Sequence, residues 1–262
     1  MPESTLYALH GNLQTPTVWD KFREQLRDRA GRPVHWEMED LRGALQLDFS
    51  DWTEDFCGQV EFETKGRPRP WLLGYSLGGR LALHALLKRP DLWCGVIVAG
   101  ANPGLSNSSE KAARLKNDQN WAGRFRSEPW ERVVRDWDAQ PVFQHAGEPV
   151  KNPCPPREGD FFKGQVARLF DTFSLGRQDD LRPVLAELYR VEKTPPAPPV
   201  LFLSGEYDAK FRALGEELAG LCPGWTHRVL PGGGHRAPWE APAAFTRAVQ
   251  DFIGGPEPVL IA

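Results

Sequence analysis

Three residues of this sequence are of the types that pass a proton along a chain. Ser76 lies in Gly74-Tyr75-Ser76-Leu77-Gly78, Asp208 in Gly205-Glu206-Tyr207-Asp208, and His235 in Gly232-Gly233-Gly234-His235. A serine hydroxyl is inert near neutral pH until an adjacent base accepts its proton. An imidazole is such a base, and a carboxylate fixes its tautomer. The set supports attack on an acyl carbonyl or withdrawal of a proton from carbon. Singly, each residue reads better as a loop serine, a turn former or a solvated side chain. Their order and setting together point to catalysis.

The setting is a strand–helix alternation. Apolar runs at Thr5 to His10, Pro33 to Glu37, Pro70 to Tyr75, Trp93 to Ala99, Pro199 to Ser204 and Thr226 to Leu230 read as strands. Strands apolar throughout are buried on both faces, as in a parallel sheet covered by helices. Helical spacing is seen over Trp19 to Arg29, Trp52 to Val60, Leu77 to Lys88, Lys210 to Leu221 and Ala241 to Phe252. Residues 104–180 break the alternation. They hold no convincing strand and three expected helices, Glu110 to Phe125, Pro129 to Asp138 and Phe161 to Phe173. The expected architecture is one α/β domain, residues 1–103 and 181–262, interrupted by a helical lid insertion at 104–180. Right-handed crossovers place every strand's C-terminal end on one edge, where ligands of open α/β sheets bind. Ser76, Asp208 and His235 all follow strand ends. GxSxG between strand and helix, with Ser, Asp and His in that chain order, is the pattern of the α/β-hydrolase fold.

Two further features bear on the chemistry. His10-Gly11-Asn12-Leu13 closes the first strand, and in this fold that loop and the residue after the nucleophile, Leu77, donate N–H groups to an oxyanion. Arg80 falls one helical turn after Ser76 on a helix that is otherwise nearly all apolar. A buried guanidinium needs an anionic or strongly polar partner; a local carboxylate would make it structural, and a carboxylate of the substrate would make it a clamp. The insertion carries Arg114, Arg124, Arg126, Arg132, Arg135, Arg157 and Arg168 among Trp121, Trp130 and Trp137. Most of these arginines are read as solvated. A few turned inward would make a cationic cap for an anionic substrate.

These motifs resemble the family of 2-succinyl-6-hydroxy-2,4-cyclohexadiene-1-carboxylate synthases, menaquinone-pathway lyases of the α/β-hydrolase fold, over residues 6–253. The resemblance rests on Gly74-Tyr75-Ser76-Leu77-Gly78-Gly79-Arg80, Asn102-Pro103-Gly104-Leu105, Trp121-Ala122-Gly123-Arg124-Phe125, Gln140-Pro141-Val142-Phe143 and Gly205-Glu206-Tyr207-Asp208-Ala209-Lys210-Phe211-Arg212. It implies Ser76, Asp208 and His235 as the catalytic set, and an oxyanion hole from Leu77 with Asn12 and Leu13. It also implies substrate contacts from Arg80, Arg124, Arg157, Tyr75, Trp137 and Phe143. The implied reaction eliminates pyruvate from a cyclohexene bearing three carboxylates, in menaquinone or phylloquinone biosynthesis. One departure stands out: many relatives carry Pro-Gly-His-Gly after the second strand, where this chain has Glu39-Asp40-Leu41-Arg42-Gly43. The rival reading is a serine hydrolase, a carboxylesterase or thioesterase for an anionic acyl group. A non-catalytic small-molecule receptor is a third.

Composition narrows the partners. The 262 residues carry 32 Lys and Arg against 35 Asp and Glu, a net charge of -3, which argues against nucleic acid or an anionic membrane. Hydrophobic residues make up 40 %, enough for a sizeable core, while 25 glycines and 24 prolines imply many turns. Four scattered cysteines, Cys57, Cys94, Cys154 and Cys222, form no CxxC pair and read as reduced. No dinucleotide or metal motif is present, so no cofactor is expected. No signal peptide or membrane span is evident, and a soluble cytoplasmic protein is expected. Oligomeric state leaves no trace in the sequence.

Overall fold

A computed structural model describes residues 4–45, 48–145, 148–149, 152, 159–190 and 196–255. Arg157 and Cys154 lie outside the described residues. The first half runs β1 (Thr5–Leu9), α1 (Asp20–Arg23), β2 (His35–Glu39), α2 (Phe49–Glu63), β3 (Trp71–Tyr75), α3 (Leu77–Lys88) and β4 (Gly95–Ala99). Then come α4 (Ser108–Ser127), α5 (Trp130–Asp138), β5 (Gln144–His145), β6 (Glu148–Pro149), α6 (Gly159–Thr172) and α7 (Arg182–Arg190). The chain returns through β7 (Val200–Gly205), α8 (Ala209–Leu221), β8 (Trp225–Leu230), α9 (Ala237–Glu240) and α10 (Pro242–Gly254).

Six strands form one sheet in the order β2-β1-β3-β4-β7-β8, every neighbouring pair parallel. Strands β3, β4 and β7 are buried at every position, as their continuous apolar sequences require. One face packs on α2, α3, α7 and α8 through residues such as Trp52, Leu81, Val96 and Phe202. The other packs on α10 and the segment after β1 through Trp19, Phe22, Ile97 and Phe245. A third, smaller core of Trp121, Phe125, Trp130, Val133, Trp137 and Phe170 joins α4, α5 and α6 and takes in Leu13 from the sheet edge. No described helix is long and apolar enough to cross a membrane.

Several expectations are corrected. The helix expected from Trp19 to Arg29 is a 3-10 turn at Pro16–Trp19 and one turn of α1 ending at Arg23. Asp28 ends any continuation, because its carboxylate accepts from the N–H groups of Ala30 and Arg32, a local turn that competes with helix. The insertion contains a short strand pair, β5 with β6, that was not expected. Helix α7 was also missed; Leu181, Leu185 and Leu188 give it a buried stripe.

Candidate active site

Strand β3 delivers Ser76 into a tight turn with φ 52° and ψ -108°, a region that a non-glycine residue enters only under strain. Its neighbours make room. A Cβ at Gly78 would lie 2.3 Å from the Leu9 carbonyl oxygen, and one at Gly74 would lie 2.3 Å from the Gly78 oxygen. The Gly78 N–H donates to the His10 carbonyl at 3.1 Å, pinning the elbow to the loop after β1. The Ser76 side chain caps nothing at the start of α3, so its hydroxyl is left for chemistry. Leu77 is the first residue of α3, where an N–H has no intrahelical acceptor and the helix end carries partial positive charge.

Asp208 and His235 meet across the ends of β7 and β8. Asp208 Oδ2 is 2.8 Å from His235 Nδ1, and Asp208 Oδ1 accepts from the Phe211 N–H at the start of α8. The carboxylate thus caps a helix and fixes the imidazole, leaving Nε2 as the basic nitrogen. Both side chains are less than a tenth exposed. The imidazole is walled by Phe211, Tyr75 and Phe143, with ring centroids 4.6, 5.6 and 5.7 Å away. Burial pushes the Tyr75 phenol well above its ordinary value, so it remains a neutral donor.

Ser76 and His235 open on one cavity of about 360 Å³. Among the expected residues, Tyr75, Arg80, Asn12, Trp137 and Phe143 line it. Leu13 sits beneath with φ 56° and a buried side chain. The Gly11 N–H is taken by the Gln14 carboxamide at 2.9 Å, which leaves the backbone of Asn12 and Leu13 as this loop's candidate donors. Arg124 is not among the lining residues. Its guanidinium is held by Glu128 at 2.8 Å and Asp136 at 2.5 Å and covers the Trp121 ring, so in this state its charge is spent within the insertion.

Arg80 is different. It is 6 % exposed and donates to two neutral acceptors, Gln178 Oε1 at 3.1 Å and the Phe173 carbonyl at 2.7 Å. No carboxylate lies in ion-pair reach among the described residues. Desolvation, with a smaller push from the Arg114 charge, pulls its pKa down to about 9. The group is still charged at neutral pH, and an anion in the cavity would relieve the cost of burying it. The structure places Arg80 on the cavity wall, and among the described residues it has polar partners but no local ion pair.

Three further cationic residues line the cavity, of which only Arg114 was named as a cation from the sequence, among the insertion's arginines. Arg114 lines it from α4 but is neutralised by Asp118 at 2.9 Å. Lys210 lines it from the first turn of α8, where the helix end disfavours a cation, and has no carboxylate partner among the described residues. Burial lowers its pKa. Arg236 follows His235 and pairs with Asp138 at 2.6 Å. The unusual Glu39-Asp40-Leu41-Arg42-Gly43 stretch is well ordered by local bonds: His10 Nε2 accepts from the Leu41 N–H at 3.0 Å, and Arg42 covers the Phe162 ring of α6 at 4.3 Å.

Comparison with known proteins agrees with this architecture. A model described as "Alpha/beta hydrolase family" matches residues 6–248. A 2-succinyl-6-hydroxy-2,4-cyclohexadiene-1-carboxylate synthase of Shigella sonnei is 38 % identical over 248 residues, 95 % of this chain and 93 % of that one. One from Escherichia coli O1:K1 is 39 % identical over 183 residues, covering 70 % and 68 % of the two chains. The solved structure of MenH from S. aureus superposes with a TM-score of 0.81 at 22 % identity, covering 96 % of this chain and 94 % of that one. The chain belongs to the α/β-hydrolase family and, within it, to the 2-succinyl-6-hydroxy-2,4-cyclohexadiene-1-carboxylate synthases.

Proposed function

We propose that this protein is a carbon–oxygen lyase that eliminates pyruvate from 2-succinyl-5-enolpyruvyl-6-hydroxy-3-cyclohexene-1-carboxylate in menaquinone or phylloquinone biosynthesis. The observation that carries the reading beyond family membership is Arg80, a buried cation facing the cavity one turn from Ser76 with no carboxylate partner among the described residues. A substrate with three carboxylates supplies the missing charge. Residues 104–180 act in this reading as the lid over the cavity.

Asp208 orients His235, His235 draws the proton from Ser76, and Ser76 removes the ring proton alpha to the succinyl carbonyl. The enolate oxygen is met by backbone N–H groups of Leu77 and of the Asn12–Leu13 turn. The electron pair then moves through the ring double bond and breaks the C–O bond to the enolpyruvyl group, which leaves as enolpyruvate and takes a proton to become pyruvate. Ser76 is a base in a relay, and no acyl-enzyme forms. No step calls for a metal or an organic cofactor.

The test is pyruvate release from the cyclohexene substrate beside ester and thioester hydrolysis. Ser76→Ala is expected to lower pyruvate release by at least ~1000-fold, the scale of losing one member of such a set, with an unchanged melting curve. A wild-type enzyme that hydrolyses anionic esters and releases no pyruvate is a hydrolase, and the proposal fails.

A further inference from the structure

We propose that the buried Arg236–Asp138 ion pair is a positioning clasp that ties helix α5 of the insertion to the His235 loop and to the oxyanion loop at Leu13. The inference rests on the reading of His235 as the base and of the Asn12–Leu13 turn as an oxyanion donor. The two partners are 98 residues apart, joined at 2.6 Å, with side chains 3 % and 13 % exposed.

Such a pair is a weak source of stability. Two charges taken out of water regain about what their desolvation costs, and apolar residues of the same volume would serve as well. Asp138 is moreover the last residue of α5, where the helix end already carries negative charge. What the pair supplies is fixed geometry. The second oxygen of Asp138 accepts from the Asn152 N–H at 3.2 Å, and the Asn152 carboxamide donates to the Leu13 carbonyl. Leu13 holds a positive φ, strained in a non-glycine residue, that persists only when its surroundings enforce it. On the other side, the Arg236 guanidinium covers the Phe143 ring at 4.0 Å, and that ring stands against His235. Asp138 neutralises Arg236, so the guanidinium holds Phe143 and adds no net charge to the cavity. One ion pair therefore bears on the base and on the oxyanion turn, and it does so only while α5 is docked.

The full chain tests this by turnover and amide exchange together. Asp138→Asn is expected to lower kcat for pyruvate release by about 10-fold or more, with KM within about 3-fold, because misplacement acts on the reacting geometry. Exchange in peptides spanning residues 10–15 and 130–139 should rise by about 10-fold, reporting local opening. Asn152→Ala should raise exchange at residues 10–15 alone. Arg236→Lys should recover part of kcat. The double change Arg236→Met with Asp138→Leu leaves no unpaired charge, so Tm should return to the wild-type value while kcat stays low. Recovery of kcat along with Tm in that double variant would make the pair merely structural and overturn the clasp. Unchanged exchange at residues 10–15 in Asp138→Asn would do the same. If the wild type releases no pyruvate, the functional reading fails by itself, and exchange alone decides the clasp.

Discussion

Arg80 is a cation buried at the cavity without a neutralising partner among the described residues. Its hydrogen bonds to Gln178 and the Phe173 carbonyl satisfy donors without neutralising charge. Arg80→Met removes the cation and leaves those two acceptors unpaired, opposing effects of similar size. Tm is expected to move little, while kcat/KM for the tri-anionic substrate falls at least ~10-fold, the equivalent of one charge-assisted bond. Arg80→Lys should restore only part, since a point charge lacks the planar fork. Steady-state kinetics with a neutral ester as control checks this, and equal losses on both substrates would point to a structural arginine. At this scale the sequence was legible where spacing alone fixes position: Ser76 after its strand, Arg80 one turn on, Asp208 and His235 after theirs. Lys210, Arg114 and Arg236 were not, because their place on the cavity depends on how α4, α5 and α8 pack. Arg124 was put in the site by resemblance, and only the fold reveals that Glu128 and Asp136 occupy it.

Among the elements, the β3–α3 elbow has little slack. A methyl at Gly78 cannot coexist with the Leu9 carbonyl, whereas a methyl at Gly123 on the exposed face of α4 meets nothing within 4 Å. Gly78→Ala is therefore expected to cost about 1–3 kcal/mol or more and to abolish turnover even in the folded fraction. Gly123→Ala should gain up to about 1 kcal/mol from helix propensity. Calorimetry on the two variants measures the contrast, and a Gly78→Ala enzyme that melts and turns over normally would contradict it. Elements such as α3, α4 and β4, set off by runs of consistent character and by turn residues, could be read within a few residues of their ends. Helix α1 could not, since the charge alternation from Trp19 to Arg29 looks helical while the Asp28 side chain closes a turn. The β5–β6 pair is too short to carry a period at all.

For the molecule as a whole, pH separates two groups of stabilising contacts. His84, one turn after Arg80 and stacked on Phe49 at 4.6 Å, is kept neutral by burial and by the Arg80 charge, with its pKa lowered from 6.5 to about 4. An unfolded chain binds that proton more readily, so this contribution is complete above about pH 6.5 and is lost as pH falls toward 4. Asp28, held low chiefly by the Arg32 hydrogen bond, has its pKa depressed below the ordinary carboxylate value of 3.8, as do Asp91 beside Arg89 and Asp136 beside Arg124. Their contributions are present above that value and disappear only below it. Burial lowers the His227 pKa in the same way. Tm is therefore expected to decline in two stages, the first of which His84→Gln reduces; thermal melts from pH 8 to pH 3 would show it, and a single decline below pH 4 in the wild type would refute the His84 assignment.

The strand order carries a consequence for how the chain comes into being. Strand β4 is complete by Ala99, yet the strand that covers its free edge, β7, begins only at Val200. During synthesis the ribosome must add about a hundred residues while one edge of a fully apolar strand waits uncovered, a configuration that invites association with other chains. The inserted helices have their own core of Trp121, Phe125, Trp137 and Phe170, so they can collapse during that interval. His235, the base of the proposed mechanism, follows β8 and emerges only in the last quarter of the chain, so in that mechanism Ser76 gains its partner only as the sheet closes.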